Sequence, residues 1–371
     1  MSDQHSVFSD QSGKPAQTID LWQPIVIARE QIDAEIARLA ALPAPANGVR
    51  RAWIVHPNAV APGLGLAPGI RVMLDVLLPG ERSKPVRHNS TNVNFCIRGA
   101  GSALVGKKRF AFQLHDVWNT PSMVPYAHVN TTDAVQARLT YSNAALLEKM
   151  NVHVVDDAVD ESALAVDGGP SANGGPDHPK DPRKQNPFGT FELRDGAFLM
   201  PYERLISPDP IDNSALFWRW EEVKAHLDKL EALGSEYAGR RLYLLYNPAT
   251  GRSNGTTHNF FATMCLRPPQ IVDRPHRHTA AAINYYFQGS GYSVVEGRRY
   301  EWKAGDLMLS APGWGIHNHA SHDEPVYELT IQDSPLNITM ESLLWQENLR
   351  QPLAVLGAEA GFETNRKAIG V

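Results

Sequence analysis

The 371-residue sequence contains an internal repeat with an offset of about 190 residues. Residues 84–89 (KPVRHN) align with residues 274–279 (RPHRHT), and residues 94–101 (NFCIRGAG) align with residues 284–291 (NYYFQGSG). The same offset pairs further residues of the two halves, namely Arg50-Arg51 with Arg240-Arg241 and Asp116 with Asp306. The repeat predicts two domains of one fold, because each copy is long enough to bury its own core.

Turn residues divide the second repeat into short strands. Gly289 and Gly291 indicate a tight connection, and residues 296–299 (EGRR) have the composition of a hairpin turn. Residues 300–309 then predict two strands that bend at residues 304–306 (AGD). We therefore predict a mainly β domain built from antiparallel strands.

Three histidines of the second repeat have the spacing of a metal site. His276 and His278 lie two residues apart, so their side chains share one face of a strand, and His317 follows about 40 residues later. Imidazole nitrogens are good ligands for divalent first-row metals. A single histidine is more often a surface or core residue, but three at this spacing predict a metal centre. We expect the neighbouring His319 to act in catalysis on the substrate rather than as a fourth ligand.

The first repeat retains little of this triad. Val86 occupies the position of His276, Tyr126 occupies that of His317, and of the three ligands only His88 remains. We therefore expect the first domain to be metal-free and to serve as a scaffold for packing or dimerisation.

The pattern H-x-H, G-x-G, G-D and P-x-x-x-x-H in the second repeat resembles that of the cupins. This resemblance implies a mainly β bicupin, with two antiparallel β-barrels of the double-stranded β-helix (jelly-roll) type and a few flanking helices. The expected divisions are an N-terminal arm and helix (1–47), cupin 1 (48–155), a Gly/Pro-rich linker plus helix (156–236), cupin 2 with the metal site (237–342), and a C-terminal tail (343–371). We expect the chain beyond Gln346 to drape over a neighbouring subunit.

Two helices flank the predicted barrels. Apolar residues recur at helical spacing from Ile25 to Leu42, and a second such stripe predicts a helix from Ser214 to Leu233. In the second helix Ser214 is the candidate N-cap and Gly234 the candidate C-cap. Residues 167–176, rich in glycine and proline, indicate a flexible linker. Trp218 and Trp220, near the start of the second helix, are expected in an interdomain core.

Charge and composition exclude several classes of partner. The net charge is −5 and the sequence has no block of lysine and arginine, which argues against nucleic acid as the main partner. No apolar run approaches the length of a membrane span, and the polar, acidic N-terminus does not resemble a signal peptide. Cys96 and Cys265 form no C-x-x-C pair. We expect a cytoplasmic protein.

Most of the chain, from about Arg50 to Ser342, resembles the gentisate 1,2-dioxygenase family, which includes salicylate and 1-hydroxy-2-naphthoate ring-cleaving enzymes. Residues 314–319 (WGIHNH) are similar to the family's W-x-W-H-x-H signature. The resemblance implies one Fe(II) held by His276, His278 and His317, an aromatic substrate cleaved with O2, and a homo-oligomer, either a dimer or a tetramer. In this signature the first histidine is a ligand and the second, here His319, meets the substrate.

Two departures set the chain apart from most of the family. Its ligand set lies in the C-terminal cupin, and Asn284 stands where the family usually carries an arginine that pairs with the substrate carboxylate. We expect Asn284 and Tyr286 to face the cavity, Trp314 to form its wall, and Arg241 to supply charge, with Arg240 and Arg274 as alternatives. A phenolic substrate without a carboxylate stays open.

Two other functions stay open from the sequence. Cupins that act as isomerases, decarboxylases or hydrolases use Mn, Ni or Zn, and three histidines do not identify the metal. Many of those enzymes add a glutamate ligand four or five residues after the second histidine, whereas this chain has Ala282 and Ile283 there. A non-catalytic storage or sensor bicupin is the third hypothesis, but it does not explain a complete triad in one barrel.

Overall fold

The computed structural model describes residues 7–16, 20–164, 190–193, 197–202, 214–234 and 240–355. These residues form mainly antiparallel strands with a few helices, which confirms the predicted fold class. The predicted linker at residues 167–176 lies outside them. Within the described residues, no helix is both long enough and apolar enough to cross a membrane.

The strands follow the two repeats. Those that precede or belong to the first repeat are β1 (Ile25–Ile27), β2 (Arg50–Ile54), β3 (Arg71–Leu77), β4 (Arg87–His88), β5 (Asn92–Arg98), β6 (Gly101–Val105), β7 (Lys108–Phe112), β8 (Val117–Thr120), β9 (Tyr126–Val129), β10 (Gln136–Ser142) and β11 (Val155–Asp156). The connecting segment contributes β12 (Phe191–Glu192), β13 (Phe198–Leu199) and β14 (Phe217–Trp218). The remaining strands are β15 (Leu242–Leu244), β16 (Phe261–Arg267), β17 (Arg277–His278), β18 (Ala282–Gln288), β19 (Ser290–Val295), β20 (Arg298–Lys303), β21 (Leu307–Ala311), β22 (His317–Ser321), β23 (Val326–Gln332), β24 (Leu344–Gln346) and β25 (Ala354–Val355).

Both repeats arrange these strands in the same order. A six-stranded sheet has the order β14-β8-β5-β10-β3-β2 in the first cupin and β1-β21-β18-β23-β16-β15 in the second. A three-stranded sheet accompanies each, β7-β6-β9 in the first and β20-β19-β22 in the second. The internal repeat is thus a repeat of one cupin fold.

The two cupins exchange edge strands. β1 precedes the first cupin in the chain but pairs with β21 of the second, whereas β14 precedes the second cupin but pairs with β8 of the first. The prediction of a helix from Ile25 is therefore wrong at its start, because Ile25–Ile27 completes the sheet of the other cupin. The N-terminal segment thus supplies an edge strand to the second cupin, and the segment between the cupins supplies one to the first.

In the described part of the chain the α-helices are α1 (Arg29–Ala40), α2 (Ala144–Lys149), α3 (Trp220–Ala232) and α4 (Ser334–Thr339), and short 3-10 helices occupy Glu161–Ala163 and Pro248–Ser253. Ser214 is not the N-cap of α3, because β14 intervenes and the cap is Arg219. At the other end Gly234 follows the C-cap residue Leu233 with φ of +50°, a left-handed conformation that glycine adopts without strain.

A carboxylate from each cupin binds the first turn of the helix that follows the exchanged strand. Asp306 accepts a hydrogen bond from the backbone N–H of Arg29 at 2.7 Å, and Asp116 accepts one from that of Trp220, also at 2.7 Å. A negative charge at a helix N-terminus is favourable because the first N–H groups lack partners in the helix. The repeated G-D and H-D turns thus anchor α1 and α3 in equivalent ways.

One hydrophobic cluster extends through both cupins. Phe95 and Tyr285, which are equivalent under the 190-residue offset, contact each other with ring centroids 5.5 Å apart. Trp218 and Trp220 pack against the same cluster, as predicted for an interdomain core. The two domains therefore share one core, and the second cupin's cavity lies in a rigid frame.

Candidate metal centre

The structure brings His276, His278 and His317 together. One ring nitrogen from each lies within 4.8 Å of the others, and all three side chains are at least 96% buried. His276 and His317 face each other across an antiparallel bridge, and His278 lies two residues further along the strand. The face-sharing predicted from the H-x-H spacing thus places these three rings at one point.

The second nitrogen of each ring is held by a backbone carbonyl. The three Nδ1 contacts are His276 with Arg274 O at 3.0 Å, His278 with Ala280 O at 2.8 Å, and His317 with Gly315 O at 2.9 Å. A carbonyl only accepts, so each Nδ1 carries the proton and each Nε2 presents its lone pair. This donor set fits a divalent first-row metal, with iron, manganese, nickel and zinc all compatible.

Burial also keeps these rings neutral. It lowers the pKa of His278 to about 3 and that of His317 to about 4, and it places the pKa of His276 well below its usual value. Neutral imidazoles are the form that binds a metal, so the site does not have to lose protons at neutral pH to accept an ion.

These pKa shifts predict that the metal-free protein loses stability in mild acid. Below about pH 6.5 the unfolded chain binds protons at these histidines but the folded chain does not, so the free energy of unfolding falls as the pH falls. We expect up to about 1.4 kcal/mol per pH unit for each histidine, from about pH 6.5 down toward the folded pKa values. Urea unfolding between pH 7.5 and 5 measures this slope. A variant with all three histidines replaced by glutamine should show a smaller slope, and an equal slope would contradict the assignment.

The triad lies in a cavity of about 450 Å³. Its wall combines apolar side chains with converging polar groups, and the polar residues include Arg240, Arg267, Asp273, Asn284, His319, Glu328, Thr330 and Glu347. A cavity of this size accepts a small organic molecule.

His319 lies in this cavity beside the triad, with its ring 5.6 Å from that of His317. Its Nδ1 is 2.8 Å from the hydroxyl oxygen of Ser293, which also accepts a hydrogen bond from Trp302 Nε1 at 3.0 Å. This chain of contacts fixes the ring through Nδ1. Burial lowers the pKa of His319 well below its usual value, so the ring is neutral.

Asn284 lines the cavity but is held by its own sheet. Its Nδ2 donates to Thr330 Oγ1 at 2.8 Å, and its Oδ1 accepts from the hydroxyl of Ser310. The equivalent pair in the first cupin, Asn94 and Thr140, is also hydrogen bonded, at 2.9 Å. An Asn–Thr contact at this position thus recurs in the cupin without the triad, and a contact of Asn284 with the substrate stays a prediction.

Two aromatic residues predicted to face the cavity do not line it. Tyr286 stacks on Trp302 with centroids 3.7 Å apart, inside an apolar cluster beside the cavity. Trp314 lies beneath the guanidinium of Arg277, whose Cζ is 4.3 Å from the ring centroid. The alternation of side chains along the strand predicted which face of the sheet Tyr286 lies on. It did not predict that the ring packs against Trp302 instead of lining the cavity.

Arg241 is likewise outside the cavity, because it pairs with Glu231 at 2.8 Å and donates to the carbonyl of Gly234. The adjacent residue Arg240 lines the cavity instead and donates to Glu347 Oε1 at 2.7 Å. Its positive charge lowers the pKa of His276 and His319, which places it close to the triad.

Sequence reasoning missed Trp345, which lies in the segment assigned to the C-terminal tail. β24 pairs with β17 of the same chain, and Trp345 stacks on His278 with centroids 4.8 Å apart. The contact of the chain beyond Gln346 with a neighbouring subunit stays a prediction. The 190-residue offset would have found Trp345, because it relates Val155 to Trp345 and His88 to His278. Val155 pairs with His88 in the first cupin as Trp345 pairs with His278 in the second.

A buried ion cluster adjoins the cavity. Arg267 contacts Asp273 through Nη1 and Glu328 through Nη2, the latter at 3.1 Å, and all three side chains are at most 5% exposed. The available sequence signal was a single charged residue on each of the mainly apolar strands β16 and β23, Arg267 and Glu328. One cation and two carboxylates leave a net negative charge near the cavity floor.

Known proteins resemble this chain in fold and sequence. A profile of the AraC-like ligand binding domain matches residues 266–351, within the second cupin and β24. A 5-aminosalicylate 1,2-dioxygenase from Comamonas sp is 24% identical over 313 residues, which are 82% of this chain and 76% of that protein. A gentisate 1,2-dioxygenase from Ralstonia sp is 30% identical over 161 residues, 41% of this chain and 45% of that protein.

A solved structure shows the same architecture. The salicylate 1,2-dioxygenase from Pseudaminobacter salicylatoxidans matches with a TM-score of 0.70 at 16% identity, over 91% of each chain. At this identity the match establishes the fold of the two cupins.

Proposed function

Because the chain is a bicupin of the gentisate 1,2-dioxygenase-like family, we propose that it is an Fe(II)-dependent dioxygenase that opens the ring of a hydroxylated aromatic acid with O2. The observation that carries this proposal is the convergence of three neutral histidines beside His319 in one cavity. Relatives named for 5-aminosalicylate and 5-nitrosalicylic acid favour a 5-substituted salicylate or gentisate. The dimeric or tetrameric assembly stays a prediction.

The three histidines have the role of holding the metal and leaving positions for other ligands. Their Nε2 atoms occupy one side of the site, since each Nδ1 faces a carbonyl of its own strand or turn. Neutral ligands leave the full charge of a divalent ion to attract an anionic substrate. Iron bound there supplies the redox chemistry that ring cleavage by O2 requires.

His319 is positioned to donate a hydrogen bond to a ring oxygen of the substrate. The hydroxyl of Ser293 accepts from Trp302 and has its own proton to give to Nδ1 of His319, which places the imidazole proton on Nε2. Nε2–H then donates to a substrate oxygen in the cavity. Trp345 also lines the cavity and fixes the ring of His278 by stacking on it.

Arg240 is the group we assign to the substrate carboxylate. Asn284 cannot replace a guanidinium for this purpose, because an amide has no charge and this one is already bonded on both sides. Arg240 lines the cavity and its charge acts on the triad, whereas Arg241 is bonded to Glu231. Binding would exchange Glu347 for the substrate as a partner of Arg240.

Replacing Arg240 with glutamine should raise KM for carboxylated substrates by about 10- to 100-fold, the worth of a charge-assisted hydrogen bond. Turnover at saturation should change less. Steady-state kinetics on gentisate and on hydroquinone, which lacks the carboxylate, measure the effect. The adjacent Arg241→Gln variant is the control and should retain its KM. Equal effects of Arg240→Gln on both substrates would contradict the assignment.

Oxygen uptake by anaerobically Fe(II)-loaded protein tests the function. We would offer gentisate, salicylates with 5-amino, 5-nitro and other substituents, 1-hydroxy-2-naphthoate, hydroquinone and catechol. Uptake with one of these, retained when the exposed His322 is replaced by alanine, would support the proposal. No uptake with any of them, with iron demonstrably bound, would reject it and favour a redox-neutral metalloenzyme.

A further inference from the structure

The first cupin also encloses a cavity, although it lacks the triad. This cavity has a volume of about 530 Å³ and occupies the same place in the fold. Tyr126 and Val86 form the antiparallel bridge that His317 and His276 form in the second cupin. The hydroxyl of Tyr126 is 3.0 Å from Nε2 of His88, so the one retained histidine of the triad already has a partner.

Two arginines share one carboxylate in this cavity. Asp75 Oδ1 is 2.5 Å from Arg51 Nε, and Asp75 Oδ2 is 2.9 Å from Arg138 Nη2. Asp75 and Arg138 are each 1% exposed. Arg71 is bonded to Glu148 and adds no net charge, and burial raises the pKa of Tyr126, so its phenol stays neutral. Lys84 and Asp157 also line the cavity, so four cationic side chains around it face three carboxylates, which leaves one positive charge in excess. The Arg138–Asp75 pair is buried and Arg51 is 32% exposed, so the excess charge lies where a ligand in the cavity can reach it and favours an anion.

Buried polar atoms without partners line the same space. Neither ring nitrogen of His128, which is 1% exposed, has a hydrogen-bond partner among the described residues, and the same holds for Nε of Arg138. Both side chains line the cavity, and the charge of Arg138 acts on His128. A buried donor that lacks a partner costs free energy, so this pair is suited to a ligand that accepts hydrogen bonds.

We propose that the first cupin binds a small organic monocarboxylate, with Arg138 and His128 holding the carboxylate. The excess of one positive charge matches a monoanion. The volume is far larger than an inorganic ion needs, and the wall offers apolar side chains for the rest of the ligand, including Trp53, Met73 and Val86. Arg138 aligns with Glu328 of the second cupin, so at this position the first cupin carries a cation where the second carries a carboxylate.

Binding of benzoate to metal-free protein tests the proposal, and it does not depend on the dioxygenase activity. Calorimetry gives the affinity, and crystals soaked in 4-bromobenzoate locate the bromine by its anomalous signal. We expect a bromine peak in the first cupin's cavity beside Arg138 and His128. The Arg138→Met variant should bind at least about tenfold more weakly, because a charge-assisted hydrogen bond is lost.

A matched pair of cavity-filling variants separates the two sites and removes no charge. Met73→Trp fills the first cavity, and Thr263→Trp fills the second at the equivalent position. The first should abolish binding at the first cupin and the second should leave it intact. No benzoate binding by the wild-type protein, a bromine peak only in the second cavity, capture of chloride or phosphate alone, or full binding by folded Met73→Trp would each overturn the proposal.

Discussion

Replacing His276 with alanine should abolish both iron binding and oxygen uptake. Loss of a partner that merely orients a metal ligand costs about 10- to 100-fold in metal affinity or activity, so loss of a ligand itself should exceed about 100-fold. Only His276, His278 and His317 form a ligand group among the described residues, and the neighbouring polar side chains Asn284 and His319 are held by Thr330 and Ser310 and by Ser293, respectively, so two rings alone remain for the metal. Iron content after anaerobic loading measures the first effect, and the oxygen electrode measures the second.

The His322→Ala variant is the control for this experiment. His322 is a histidine of the same cupin that lies at the surface, with 40% of its side chain exposed, so its loss should leave the iron content unchanged. Full iron occupancy in His276→Ala would show that the triad is not the metal site. Full occupancy without oxygen uptake would instead show that His276 positions the metal for chemistry rather than retaining it.

Replacing Arg267 with methionine should destabilise the protein by about 3 to 5 kcal/mol, because it leaves Asp273 and Glu328 buried without their shared cation. Their mutual repulsion then adds to the cost of their burial. The free energy of unfolding in urea measures the loss, which should be smaller at low pH, where the two carboxyl groups can take up protons.

An exposed ion pair of the same cupin provides the comparison. Arg299 and Glu301 are 2.5 Å apart, but both side chains are more than half exposed. The Arg299→Met variant should therefore lose only about 0 to 1 kcal/mol. Similar losses in the two arginine variants would show that burial of the Arg267 cluster does not set its energy.

The metal centre was predictable because its signal is local. Two residues of separation on a strand fix the shared face of His276 and His278, and the return of His317 follows from the same short hairpins. How deeply a side chain is buried, and which of two adjacent residues reaches the cavity, depend instead on contacts with distant parts of the chain. Tyr286 has the predicted face but lies against Trp302, and only the packing of the preceding helix decides that Arg240 rather than Arg241 reaches the cavity.

The fold, too, was predictable where local sequence patterns decide it and not where long-range pairing does. The repeat predicted two cupins, but a three-residue strand at Ile25–Ile27 has apolar residues that fit a helical pattern equally well. Its strand character comes from pairing with Leu307–Leu309, and no window around Ile25 contains that partner. Trp345 was not predicted as a site residue for a related reason. Its place in the site comes from stacking on the ring of His278, which lies on a strand far away in the sequence.

The exchanged edge strands also bear on how this chain is made. As the polypeptide leaves the ribosome, the first cupin lacks an edge strand until Phe217–Trp218 emerges, and Ile27 waits for Leu307, which is synthesised 280 residues later. An unpaired sheet edge is open to pairing with other chains during that interval. Neither half is therefore a complete folding unit, and a chain truncated before Phe217 would expose the unfinished sheet of the first cupin together with β1, which would have no partner strand.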